Sequence, residues 1–212
     1  MTSGNGRHRV WYAAYGSNLH WPRFRCYLQG GRACGSARVH APCADRRPPL
    51  AEAATTLPFP LLFAGTSRTW GGGSAFLDVR RRDASTLARL YLVTDEQFAA
   101  VVSAEARHRV RLPSPGAGAP PWFRVAPGTY GIVVACGQRY GIPVMSLSGM
   151  PGGATTAPPR PSYLGTIAAG LRAAHGLSPR GVADYLAPVP GVAGHYPRDE
   201  LVALAGGQVA HR

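Results

Sequence analysis

Apolar positions along the chain follow first a strand period and then a helix period. Residues 10–15 gather β-branched and aromatic side chains and predict a strand. They run into Gly16-Ser17-Asn18, a turn composition. Pro22 suits a first helical turn, and Trp21, Phe24 and Leu28 recur at helical spacing until Gly30-Gly31 stops them. The opening unit is therefore strand, tight polar turn and short helix. Residues 41–58 carry Pro42, Pro48, Pro49 and Pro58 and predict a long loop. Residues 59–64 read as a buried strand, 70–73 as a turn, and 75–79 and 89–93 as two further strands.

Thr94-Asp95-Glu96-Gln97 has the chemistry of a helix start. Thr94 can cap, Gln97 completes a capping box, and Asp95 and Glu96 suit the positive end of the helix dipole. The helix predicted from there reaches about Arg107, with an apolar stripe of Phe98, Val101 and Val102. The next position on that stripe is Glu105, where a leucine would be expected.

Residues 113–128 are rich in Pro and Gly and predict a surface loop or lid. Segments 129–136 and 140–147 flank Gly137-Gln138-Arg139 and predict a β-hairpin. After a second Gly/Pro loop at 149–161, Ser162 can cap a helix reaching His175, ended by Gly176. Ser178-Pro179 opens another helix, and 199–205 could form one or two helical turns. These elements predict a single α+β domain over residues 10–187, preceded by a flexible tail (1–9) and followed by an extension (188–212).

Composition narrows the chemistry. All 23 basic residues are Arg, which excludes mechanisms that need a phosphate-binding, Schiff-base or general-base lysine. The net charge of +13 suits an anionic partner. The arginines are dispersed, however, and no recognition motif accompanies them, so no specific nucleic-acid partner is expected. Arg in place of every Lys, beside abundant Ala and Pro, fits a GC-rich bacterial genome. Cys26, Cys34, Cys43 and Cys136 match no zinc spacing, and the scattered histidines predict no metal site. No apolar run approaches the ~18 residues of a membrane span, and residues 1–9 lack a signal-peptide core, so a cytoplasmic protein with no membrane partner is expected.

Two features can carry chemistry. Glu105 on an apolar stripe could snorkel, pair with a buried Arg, or act as a partly desolvated general base. Tyr15-Gly16-Ser17-Asn18, between strand and helix, could be an ordinary turn or an anion nest of backbone N–H groups. His20 closely follows that turn.

Together the motifs resemble the γ-glutamylcyclotransferase-like (AIG2-like) family. Residues 10–19, Val-Trp-Tyr-Ala-Ala-Tyr-Gly-Ser-Asn-Leu, look like its opening strand and Tyr-Gly-Ser-Asn-Leu turn. Trp70-Gly71-Gly72-Gly73-Ser74-Ala75 resembles its Trp-Gly-Gly turn, and Leu90-Tyr91-Leu92-Val93 the strand before its catalytic helix. Residues 101–106 fall on its Leu-Asp-x-x-Glu-Gly, which places Glu105 on the catalytic Glu. Pro161-Ser162-Tyr163, followed by Gly170, looks like its closing helix. The chain departs from the pattern at Val101-Val102 and Ala106, and residues 107–128 replace the usual Tyr-x-Arg strand opening.

The resemblance implies a small mixed β-barrel with flanking helices and an enzyme that needs no cofactor or metal. The α-amine of a small-molecule γ-glutamyl substrate would attack its own side-chain carbonyl, releasing 5-oxoproline and an amine. Glu105 would be the catalytic base; Tyr15, Gly16, Ser17, Asn18, Leu19 and Tyr163 would bind substrate. A place in bacterial secondary metabolism or detoxification, as monomer or dimer, is compatible with this reading. Two other readings remain at this level: a different amidase or acyl transferase on the same scaffold, and a non-catalytic protein binding an anionic metabolite or nucleic acid.

Overall fold

β1 (Arg9–Ala14) is apolar on both faces, and this places it inside a sheet rather than at an edge. The computed structural model describes residues 8–32, 38–110, 112, 121–149 and 155–207. Its main sheet has six strands in the order β4 (Glu52–Leu57), β7 (Thr86–Thr94), β1, β10 (Ile142–Ser148), β9 (Ile132–Arg139) and β8 (Trp122–Arg124). β1 pairs parallel with β10 and antiparallel with β7; the other pairings in the sheet are antiparallel. Two-stranded units pair β2 (Gly31–Arg32) with β3 (Val39–His40) and β5 (Leu61–Ala64) with β6 (Ser74–Leu77).

The strand period of two sends alternate side chains into two cores. On one face Trp11 and Ala13 of β1, with Tyr15 just beyond its end, join Leu90 and Leu92 of β7. Here they meet β5, β6 and the helices α3 (Pro161–His175), α4 (Pro179–Leu186) and α5 (Arg198–Ala205). On the other face Val10, Tyr12 and Ala14 join Tyr91 and Val93 against α1 (Trp21–Gln29) and α2 (Asp95–Ala106). Phe24 of α1 stacks on Tyr91 with ring centroids 4.2 Å apart, and Phe98 of α2 is fully buried beside them. The α+β class expected from the sequence is borne out by this mixed sheet and the five α-helices among the described residues.

The capping box of α2 is formed as expected: Gln97 N donates to Thr94 Oγ1, and Thr94 N to Gln97 Oε1, both at 3.1 Å. Ser178 caps α4 through Gly181 N. Other expectations need correction. Residues 52–57, expected in a long loop, form β4, paired along its length with β7. As the outermost strand it exposes alternate residues to solvent, so its Ala/Thr sequence carries no apolar signal. Trp122–Arg124, also expected in a loop, forms β8 at the opposite edge. The hairpin turns at Tyr140-Gly141 rather than at 137–139: Arg139 faces Ile142, and both turn residues have positive φ (53° and 72°). α3 starts one residue before Ser162, with Pro161 at its first position and Arg160 as cap, because proline's fixed φ suits a first turn. Arg9, expected in the tail, opens β1.

Residues 1–7, Cys34, 113–120, 150–154 and His211 lie outside the described residues. Among the described residues Cys26, Cys43 and Cys136 are free thiols, and no three His, Cys, Asp or Glu side chains converge as a metal site would require. No helix among them is long and apolar enough to cross a membrane. Val189, Val192, Leu201 and Leu204, from the weakly patterned C-terminal stretch, are buried in the first core.

Candidate active site

At the end of β1 the chain turns through Gly16 into a single 3-10 turn, Ser17–Leu19, closed by Leu19 N donating to Gly16 O at 3.0 Å. Neighbours hold this turn from behind. The Tyr91 hydroxyl donates to Asn18 O at 3.0 Å, and Arg89 Nη1 donates to Leu19 O at 3.2 Å. The first N–H groups of such a turn have no intrahelical acceptor, which leaves the Ser17 and Asn18 amides outside the turn's own bonding.

A cavity of about 50 Å³ lies against the turn, lined by Tyr12, Tyr15, Gly16, Ser17, Asn18, Ala75, Glu105, Tyr130, Leu147 and Tyr163. Six of the seven residues expected at a site therefore meet there, from the turn after β1, from α2 and from α3. Leu19 does not. It is fully buried under α3, where a Cβ on Gly170 would come within 2.4 Å of its own Cβ. Its role is to seat the turn, because an apolar side chain after a polar turn finds the core before it finds the cavity. His20 is half-buried and does not line this cavity.

Glycine at 16 has a steric reason: a Cβ there would sit 3.2 Å from the Tyr163 hydroxyl. Tyr163 is stacked on Trp70 at 5.3 Å and accepts a bond from Ala75 N at 3.4 Å. Trp70 is carried by the Gly-rich turn, whose Gly73 lies so close to the 157 carbonyl that a Cβ would reach 2.1 Å from it. Tyr15 donates to Leu147 O and Tyr130 to Ala75 O, each at 2.8 Å. Asn18 donates to the Tyr12 hydroxyl at 3.0 Å, while its own Oδ1 is buried with no protein partner. An unpaired buried acceptor on a cavity wall is a place for a ligand's N–H or ammonium.

Glu105 is half-buried on α2. The open question from the sequence was whether it lines a cavity or pairs with a buried Arg. It lines the cavity, and it accepts a short hydrogen bond from the Tyr27 hydroxyl. The buried arginine stands one step further back: Arg23, 3% exposed, donates through Nη2 to the Tyr27 oxygen at 2.7 Å and through Nη1 to His40 Nε2 at 2.9 Å. An arginine can only donate, so His40 accepts as a neutral ring. Burial, then Arg23 and Arg38, push the His40 pKa down to about 3.

Burial pushes the hydroxyls of Tyr12, Tyr15, Tyr27 and Tyr130 well above the ordinary phenol range, and that of Tyr163 up to about 12. All five are neutral donors at neutral pH. The site thus combines one carboxylate with a ring of neutral phenols and backbone amides. Such a constellation can move a proton and hold an oxygen that gains charge.

The structure superposes over 94% of the chain on 99% of a γ-glutamyl cyclotransferase, with a TM-score of 0.53 and 18% sequence identity. The chain has the γ-glutamylcyclotransferase fold. An uncharacterised human protein matches over the same shares of both chains, with a TM-score of 0.51 and 18% identity. In sequence, 109 residues are 40% identical to the Arabidopsis thaliana protein Histone deacetylase 5, which is 50% of this chain and 16% of that protein. The chain therefore matches about a sixth of that relative's length. No family model matches the sequence. At the level of the fold, the resemblance read from the Tyr-Gly-Ser-Asn-Leu turn and its later landmarks is borne out.

Sequence reasoning did not single out Tyr12, Tyr27, Tyr130, Arg23 or His40. Tyr12 and Tyr27 occur in apolar patterns that any core aromatic would fit. Tyr130 falls at the start of the predicted strand 129–136, where an aromatic side chain is ordinary; the observed strand begins only at Ile132. A helix position occupied by Arg23 on the same face as Phe24 and Tyr27 was the available signal, since a buried arginine demands partners.

Proposed function

We propose that this chain is a γ-glutamylcyclotransferase-type enzyme that releases 5-oxoproline from a γ-glutamyl amide. The observation that carries the reading is the meeting of Glu105 with the Tyr15–Asn18 turn in one cavity of this fold. The α-amine of the glutamyl unit attacks its γ-carbonyl carbon, and a C–N bond closes the five-membered ring. The bond to the leaving nitrogen then breaks, and its electron pair stays on that nitrogen. Glu105 takes the proton lost by the α-ammonium and returns it to the leaving amine, so the carboxylate is regenerated. Tyr hydroxyls and the turn's N–H groups hold the carbonyl oxygen as it gains charge. Asn18 Oδ1 has the chemistry to accept from the α-ammonium. Because the attack is intramolecular, much of the acceleration comes from holding the glutamyl chain folded. The reaction as written needs no cofactor. The all-Arg composition supports a bacterial setting, and a role in secondary metabolism or detoxification belongs to the same proposal.

The test is mass-spectrometric detection of 5-oxoproline after incubation with γ-glutamyl amines, γ-glutamyl amino acids and glutathione, beside Glu105→Gln. Release by the wild type alone supports both activity and base. Release that survives the substitution removes Glu105 from the mechanism. No release from a folded protein removes the activity.

A further inference from the structure

Glu105 and Tyr130 line the inner cavity and also a second one, of about 280 Å³. If the glutamyl unit occupies the inner space, as proposed above, its scissile bond lies beside Glu105. The leaving group then extends into the second cavity. That outer space is basic. Its walls carry Arg38, Arg68, Arg107 and His108, and among the described residues that line it Glu105 is the only carboxylate.

The basic groups come from separate elements. Arg68 is on the loop between β5 and β6. Arg107 is the C-cap of α2, with φ 55°, and His108 follows it. Arg38 donates through Nη2 to Ala104 O at 2.8 Å, which holds that guanidinium at the last turn of the same helix. Guanidinium groups bind carboxylate and phosphate oxygens with paired N–H donors. A cationic leaving amine would meet like charge at Arg68 and Arg107.

We propose, on the reading of the reaction given above, that the outer cavity selects γ-glutamyl amides whose leaving group is an anion. An amine bearing two carboxylates is preferred over one bearing a single carboxylate, and a cationic amine is rejected. Arg68 and Arg107 are the specificity-determining residues.

The test compares γ-glutamyl-glutamate, γ-glutamyl-glutamine and γ-glutamyl-cadaverine. The first two leaving groups are nearly the same size and differ by one charge. The expected order of kcat/KM is glutamate over glutamine over cadaverine, with the first step about fivefold at low ionic strength. Raising salt from about 0.05 M to about 0.5 M should compress it. Arg68→Glu combined with Arg107→Glu should bring the glutamate-to-glutamine ratio to about one or below. Arg180→Glu, an exposed α4 position outside both cavities, controls for the general +13 charge and should leave the ratio intact. Equal rates for the first two amides, preference for cadaverine, or a ratio lost equally in Arg180→Glu would overturn the proposal. If no amide yields 5-oxoproline, the assigned reaction fails, and calorimetric titration of the same three amides into the unreacting protein decides the cavity's charge preference. The same order of affinity upholds it, and no order refutes it.

Discussion

The Tyr27 hydroxyl donates its hydrogen to Oε1 of Glu105 and so ties α1 to α2 across 78 positions of sequence. Arg23 donates to the same phenol oxygen, and because an arginine cannot accept, the hydroxyl hydrogen is left for Glu105. This contact orients the carboxylate toward the cavity. Tyr27→Phe removes it with little change of volume. On the proposed reaction, the expected result is a fall in kcat for 5-oxoproline release of about tenfold to a hundredfold, with KM near that of the wild type. Melting should shift only by the ~1 kcal/mol of one hydrogen bond. Steady-state kinetics beside a thermal melt checks this; unchanged kcat would mean that Glu105 is oriented by something else.

Gly170 of α3 lies against the back of the Gly16–Leu19 turn. A Cβ there would come 2.4 Å from Leu19 Cβ and 2.6 Å from the Leu19 carbonyl carbon. Backbone cannot give way as a side-chain tip can. Gly170→Ala should therefore destabilise the fold by about 1–3 kcal/mol and displace the turn, lowering activity in the population that remains folded. Gly165→Ala, on the same helix with nothing within 4 Å of the added Cβ, is the control and should be neutral or slightly stabilising. Urea unfolding of the two variants, normalised to folded protein in the activity assay, separates these outcomes.

His40 predicts how stability responds to acid. Its folded pKa of about 3 lies below the ordinary value of 6.5, chiefly because burial penalises the cation. Between those values the unfolded chain binds a proton that the folded chain does not. This contribution is complete above pH 6.5 and is lost as pH falls toward 3. Between about pH 7 and about pH 5 the loss should be on the order of 2 kcal/mol. His40→Gln retains an acceptor for Arg23 but cannot titrate. Its urea midpoint should fall less over the same range, and parallel wild-type and variant curves would refute the assignment.

Tyr140 occupies a left-handed turn position at φ 53° and is 84% exposed. A bulky residue is strained there, whereas asparagine adopts this conformation readily. Tyr140→Asn should stabilise the β9–β10 hairpin by about 0.5–1 kcal/mol without altering kinetics. Calorimetric melting is sufficient to test it, and a lower melting temperature would show that the Arg139 contact over the Tyr140 ring outweighs the strain.

Several parts of the molecule were legible because the forces that shape them are local. The Thr94/Gln97 box satisfies donors three residues away, so four consecutive letters suffice to read it. The central strand was readable as an unbroken run of β-branched, aromatic and small apolar residues, and the α2 stripe as a helical period imposed by burial on one face. Edge strands β4 and β8 escaped because one side of each faces solvent and leaves no apolar rhythm. The hairpin turn was misplaced toward Gly137, since glycine signals a turn only where the pairing register places it.

By itself the sequence determined the α+β class, the strand-turn-helix opening and the odd carboxylate at 105. Each follows from hydrogen bonding or periodicity over a few residues. Tertiary structure alone decided what Glu105 faces. Tyr27 and Glu105 belong to different helices, Tyr163 and Tyr130 arrive from distant segments, and Arg23 acts through a phenol rather than on the carboxylate. What each of these side chains meets depends on how the two helical layers close over the sheet, which no local pattern records.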